Sequence, residues 1–146
     1  MAIDRQGTGL TIIRIALGVF FLFEGLNKYQ WLMDTSILAG RFSQWLAAAA
    51  AGSPSRWYLE HVAIPGAAVF ARLVPLGEIA AGLALILGVW TSLAAFLAFV
   101  MVLNIHLASG ALFTYAILTN GYGLPVLGST LGLAVGGVRL PLSFRR

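Results

Sequence analysis

Among the 146 residues there are nine Lys and Arg and five Asp and Glu. Four of these charges, Glu24, Lys28, Arg72 and Glu78, lie within or at the ends of long apolar segments. A charged side chain near the centre of a bilayer costs roughly 2.5–3.5 kcal/mol on insertion scales, so each needs a partner or a purpose. Glu24 precedes Lys28 by four positions, the favourable order for an ion pair along a helix. Arg72 and Glu78 interrupt a run that is otherwise apolar from Val62 to Trp90. Their spacing places them about 120° apart on a helix, so they do not pair with each other. The expected arrangement is two crossed pairs with the first segment, Glu24–Arg72 and Lys28–Glu78. Such pairs either fix helix register or form an ionisable pocket that can hold an anion or exchange protons. The residues alone leave both open, and no side chain is assigned a catalytic role.

Asn104 and His106 extend the candidate polar site. Two positions apart, they lie about 200° apart around a helix and cannot both face its interior. A lone membrane histidine can be a quinone ligand, a proton relay or an interface residue. His61 is expected in a solvated outer loop. With no cysteine there is no disulfide, no thiol chemistry and no thiolate for an iron–sulfur cluster. Two histidines so placed do not converge on a haem or metal, so neither is expected.

The elements that must position these residues are membrane helices. The chain is 60% hydrophobic and 10% charged, with a mean hydropathy of +0.91. It reads as an all-α membrane protein, a four-transmembrane-helix bundle forming one integral membrane domain over residues 1–146. Spans are expected at about 10–28, 66–88, 92–110 and 121–138. An interfacial amphipathic helix at about 35–51 lies between spans 1 and 2, started by Asp34-Thr35-Ser36 and stopped by Gly52-Ser53-Pro54. Its apolar face carries Leu38, Phe42, Trp45, Leu46 and Ala49. Pro75 should kink span 2 or mark its entry turn. Gly18 and Gly25 on span 1, and Gly82 on span 2, allow close helix approach. Gly128, Gly132 and Gly136 make two successive GxxxG steps in span 4, a place to look for a homo-oligomer.

The net charge of +4 comes without a basic run, which argues against nucleic acid. The first apolar segment ends in bulky and charged residues rather than a cleavage site, and reads as a retained span. Four spans put both termini on one side. There Arg5, Arg139, Arg145 and Arg146 favour the cytoplasm.

Two segments carry a resemblance. Arg14-x3-Gly18-x6-Gly25-x2-Lys28 in span 1 resembles the opening signature of the DoxX/DoxD-like membrane proteins. Pro75-x2-Glu78-x3-Gly82-x2-Leu85-x2-Gly88, leading to Thr91, resembles that family's second span. The resemblance covers residues 8–138. It implies a four-helix membrane fold, with Arg14, Lys28 and Glu78 as family-type polar positions, in a bacterial inner membrane. Members include a subunit of thiosulfate:quinone oxidoreductase, which implies a subunit of a quinone-linked redox complex. Such a subunit would handle a small sulfur compound or electrons from a partner. Glu24, Arg72, Glu78 and His106 could then serve a quinone headgroup, with the Gly/Ala faces of spans 1 and 2 as a slot for its tail. Electrons would arrive from other membrane subunits. The alternative is a non-catalytic accessory subunit in a larger respiratory or photosynthetic complex, binding lipid or pigment. A transporter is less favoured, because four spans leave little room for a pathway and no internal repeat is evident.

Overall fold

The computed structural model describes residues 4–144, and they are arranged entirely around helices. Helix α1 covers Arg5–Asn27, α2 is the single turn Gln30–Met33, and α3 is Ser36–Ala48. Helix α4, Pro54–Tyr58, continues directly into a π-helical turn at Leu59–Ala63. Next come α5 (Ala67–Leu87) and α6 (Thr91–Ala108). A 3-10 turn at Ala111–Phe113 leads through α7 (Ala116–Thr119) to α8 (Leu124–Gly136).

Local chemistry explains the boundaries. The Asp4 carboxylate accepts from Gly7 N at 3.0 Å and caps α1. Asp34 starts α3, accepting from Ser36 Oγ at 2.6 Å and Ser36 N at 2.9 Å, while Thr35 makes no side-chain cap. The hydroxyl of Ser36 foremost, and then its backbone amide, hold the Asp34 carboxyl below its ordinary range. Gly88 ends α5 in the left-handed region at φ 67°, where glycine pays no Cβ penalty. Pro75 does not break α5, which runs uninterrupted through it.

The main packing is α1 against α5. A Cβ on Gly82 would lie 2.5 Å from Leu22 N, and one on Gly18 would lie 2.8 Å from Ile86 N. One on Gly25 would lie 2.8 Å from the Pro75 carbonyl. Three glycines therefore bring two backbones into direct contact, as the sequence suggests. Helix α6 packs on α5 and, more extensively, on α8.

Two apolar clusters result. One joins Leu17, Phe21, Ala81, Leu85, Ala95 and Leu133. The other joins Trp31, Leu38, Phe42, Tyr58, Leu59 and Ala71. Leu38 and Phe42 of α3 are thus covered by protein, with Phe42 edge-on to Phe70 of α5 at 6.4 Å. The tail returns to the start of the chain: Thr11 Oγ1 donates to the Pro141 carbonyl at 3.3 Å, and Phe144 N to the Leu87 carbonyl at 3.0 Å. Residues 4 and 144 therefore lie towards the same end of the bundle.

Among the described residues, α1, α5 and α6 are long and apolar enough to cross a membrane. Helix α8 has 13 residues, about 20 Å at 1.5 Å per residue. Its inner face is Val126, Leu127, Thr130 and Leu133. Gly128 and Gly132 point away, and a Cβ on either would meet nothing within 4 Å; one on Gly136 would meet only Leu10. These glycines do not pack the bundle as Gly18, Gly25 and Gly82 do. The reason is that the larger residues of α8 already fill the face turned to α6.

Gly82→Val should lower the midpoint of thermal unfolding in detergent by the cost of overpacking, about 1–3 kcal/mol. Gly9→Ala, where a Cβ meets nothing within 4 Å, should leave it unchanged or raised. Equal losses at the two positions would show that α1 and α5 are not in backbone contact.

Candidate functional site

Glu78 occupies α5 between the two apolar clusters, since Ala71 belongs to one and Ala81 to the other. Its side chain is 6% exposed and turned towards α1, on the same face as Gly82. Lys28, the residue that closes α1, reaches it across the glycine contact. Lys28 Nζ donates to Glu78 Oε1 at 3.0 Å and Oε2 at 2.9 Å, and to Glu24 Oε2 at 2.7 Å. It also donates to the Glu24 carbonyl at 3.2 Å. One ammonium thus bridges two carboxylates from different helices. The Trp31 ring lies beside it, 5.9 Å from Nζ, and receives the Arg41 guanidinium at 5.6 Å.

Glu24 connects this cluster to the outside. Its Oε1 accepts from the Tyr122 hydroxyl at 3.3 Å, and Tyr122 is half exposed. Tyr122 is held in two ways. Its ring packs on Phe20 with centroids 5.4 Å apart. Its carbonyl accepts from His106 Nε2 at 2.8 Å, and since a carbonyl only accepts, Nε2 carries the proton. His106 is buried and therefore positions Tyr122 without touching the ions. Asn104 turns the other way, as its angular separation requires, and Nδ2 donates to the Tyr58 hydroxyl at 2.5 Å.

The crossed pair Lys28–Glu78 is present, but Glu24–Arg72 is not. Arg72 is exposed and donates to the Ala68 carbonyl of its own helix at 3.1 Å. The reason is the 120° that separates it from Glu78: once Glu78 faces α1, Arg72 must face outward. Arg72 is therefore no part of the cluster. Tyr122 takes that place, and nothing in its spacing marked it, because the contact joins residues 98 apart in sequence. His61 is exposed, stacks on Trp57 and bonds its carbonyl at 2.8 Å. Of the Gly/Ala faces expected to hold a quinone tail, Gly18, Gly25 and Gly82 are taken up by the contact between α1 and α5.

Chemically, the site is a hydrogen-bonded path from Tyr122 at the surface through Glu24 and Lys28 to Glu78. Each link joins groups that can donate and accept protons. Among the described residues no three His, Asp or Glu side chains converge in a metal-ligating group. The Lys28 ammonium fills the space between the two carboxylates.

Helices of bilayer length around a buried ion cluster define an integral membrane protein. The DoxX family model matches residues 9–111, from α1 to the 3-10 turn, and the chain belongs to the DoxX family. The match stops short of residue 138 and leaves α8 outside it. No curated protein and no solved structure matches the chain.

Removing Lys28 leaves two carboxylates facing each other in a largely buried site. Lys28→Met should destabilise the protein by ~3–5 kcal/mol, the cost of breaking a buried pair. Glu78→Gln, which leaves Lys28 its bond to Glu24, should cost much less. Adding Glu78→Gln to Lys28→Met should recover part of the loss in thermal unfolding. A double variant no better than Lys28→Met would show that charge pairing is not what holds this site.

Proposed function

We propose that this DoxX protein is the membrane subunit of a quinone-linked redox complex, in which the Tyr122–Glu24–Lys28–Glu78 path supplies protons to a quinone headgroup. The observation that carries this reading is the connection of a half-exposed hydroxyl to a buried carboxylate by groups that all exchange protons. Reduction of a quinone to a quinol takes up electrons and protons in equal number. This chain offers acids for the protons, while its lack of cysteine leaves no thiolate to hold an electron-carrying cluster. Electrons then come from a partner subunit, with a small sulfur compound as one source. The headgroup would lie at the Glu24 and Tyr122 end, where the side chains reach the surface.

The same reading treats residues 1–146 as one integral membrane domain with four crossings. Helix α8 passes back beside α6 and delivers the tail to the N-terminal third of α1, which supports a fourth crossing completed by its flanking residues. Helix α3 would lie along the membrane surface with its apolar face on α5. Arg5 and Arg139, with Arg145 and Arg146, which lie outside the described residues, favour a cytoplasmic position for both termini in a bacterial inner membrane.

A second reading has its own observation. Gly128 and Gly132 form an open small-residue face on α8, suited to a helix of a larger assembly or of a second copy. An accessory subunit would use that face and no chemistry.

Native mass spectrometry of the chain, extracted gently from its own membrane, separates the two. Glu24→Gln and Glu78→Gln should each weaken quinone retention about tenfold, or about 1.4 kcal/mol, with assembly intact. Undiminished quinone retention in both variants, or none in the native protein, would sink the redox reading. Gly132→Leu should release the chain from its assembly if α8 is the packing face; an assembly that survives it excludes that face.

A further inference from the structure

The end of the bundle opposite Glu78 carries a second set of polar groups. Arg14 is completely buried, yet no carboxylate among the described residues pairs with it. Its guanidinium donates to Ser143 Oγ at 2.5 Å and to the Leu142 carbonyl at 2.8 Å, and Nε has no partner among the described residues. Beside it a recess of about 350 Å³ is lined by Trp90, Thr91, Ser92, Arg139 and Ser143, among others. Ser92 Oγ is shielded from solvent there and makes no hydrogen bond with the described residues. Arg139 makes no hydrogen bond or ion pair with the described residues, and its backbone is left-handed at φ 62°. Non-glycine residues rarely hold that conformation, and those that do cluster at binding sites. Among the described residues this end bears Arg5, Arg14 and Arg139 against the single carboxylate of Asp4. Arg139 lines the recess, and no carboxylate of the described residues does.

The recess shares Trp90 and Leu93 with an apolar groove of about 470 Å³ between α5 and α6. Gly77, Ala80, Ala81 and Ala84 form one wall, and Leu97 and Met101 stand opposite. That volume lies in the roughly 300–1,000 Å³ range of small-ligand sites. The groove runs from the middle of α5 towards the end where Arg139 stands, as a lipid tail runs towards its headgroup. We propose that the recess and groove together bind one anionic phospholipid, its phosphodiester at Arg139 and Ser92 and an acyl chain between α5 and α6. Free phosphate would use the recess alone, and a second helix would use the groove alone. A phospholipid of net negative charge matches both the cationic recess and the apolar channel that opens from it. The site is independent of any quinone chemistry at Glu78.

The purified full-length chain in detergent can be titrated with phosphatidylglycerol, phosphatidylcholine or inorganic phosphate. Native mass spectrometry then counts the adducts, and the thermal unfolding midpoint is followed in parallel. One phosphatidylglycerol should bind in preference to phosphatidylcholine and raise the midpoint. Arg139→Gln, at an exposed position, should weaken it about fivefold, as expected for one cation at a membrane surface. Ala80→Trp, which fills the exposed side of the groove, should weaken it without altering charge. Equal binding of phosphatidylcholine, or no change with Arg139→Gln, overturns the proposal. Protection by inorganic phosphate with Ala80→Trp silent would mean an anion site without a lipid. Dimers in place of lipid adducts would make the groove a protein interface, and the proposal would fail.

Discussion

A carboxylate in an apolar interior must be neutralised or paired, and much of this fold can be traced to how Glu78 meets that demand. Its partner cannot be on its own helix, where the neighbouring positions of the same face are Pro75, Ala81 and Gly82. The cation comes from the end of α1, and a lysine there reaches Glu78 only if the helices almost touch. Gly18, Gly25 and Gly82 provide that approach. The closeness has a structural consequence as well. It uses up the small-residue faces of both helices, so no ligand slot remains between them. The open groove lies instead on the other side of α5, against α6.

Lys28 then serves two acids rather than one. Two carboxylates around one ammonium leave the trio acidic in excess, and the spare acceptor on Glu24 is met by the Tyr122 hydroxyl. Tyr122 is in turn held by His106 from α6. A demand created in α5 is thus passed through α1 to the segment before α8, and fixed by α6. That chain of dependence makes the cluster a structural joint between four elements. The same links connect its most buried acid to the surface.

The sequence made part of this legible. Lys28–Glu78 and the glycine contact follow from helical spacing and from the rarity of charge in apolar segments. Arg72 was misplaced because rarity says that a charge needs an explanation and not which way it points. Its angle from Glu78 already set it on the outer face, where it reaches the Ala68 carbonyl instead of a partner helix. Tyr122 was missed for a different reason. It is a residue type common at membrane surfaces, and only the return of the chain brings it to Glu24. The glycines of α8 show the limit of pattern alone: GxxxG marks a surface that can pack closely, and nothing in it says whether the partner is inside the chain.

Helix α8 lies outside the part of the chain that carries the family match, yet it is tied to both ends of the bundle. Before it, Tyr122 completes the acidic cluster at one end. After it, Ser143 and Leu142 receive the buried Arg14 at the other. These tail contacts are neutral, so they solvate the guanidinium without cancelling its charge. Glu78 is treated differently: it is met by a full cation in bidentate contact. One set of buried charges is therefore paired within the chain, with one carboxylate in excess and Glu24 linked to the surface by Tyr122. At the Arg14 end, Arg5, Arg14 and Arg139 outnumber the one carboxylate, Asp4, among the described residues. The two ends therefore differ in kind, with acids linked through Lys28 at one of them. At the other, a buried arginine and the exposed Arg139 stand without a carboxylate partner among the described residues.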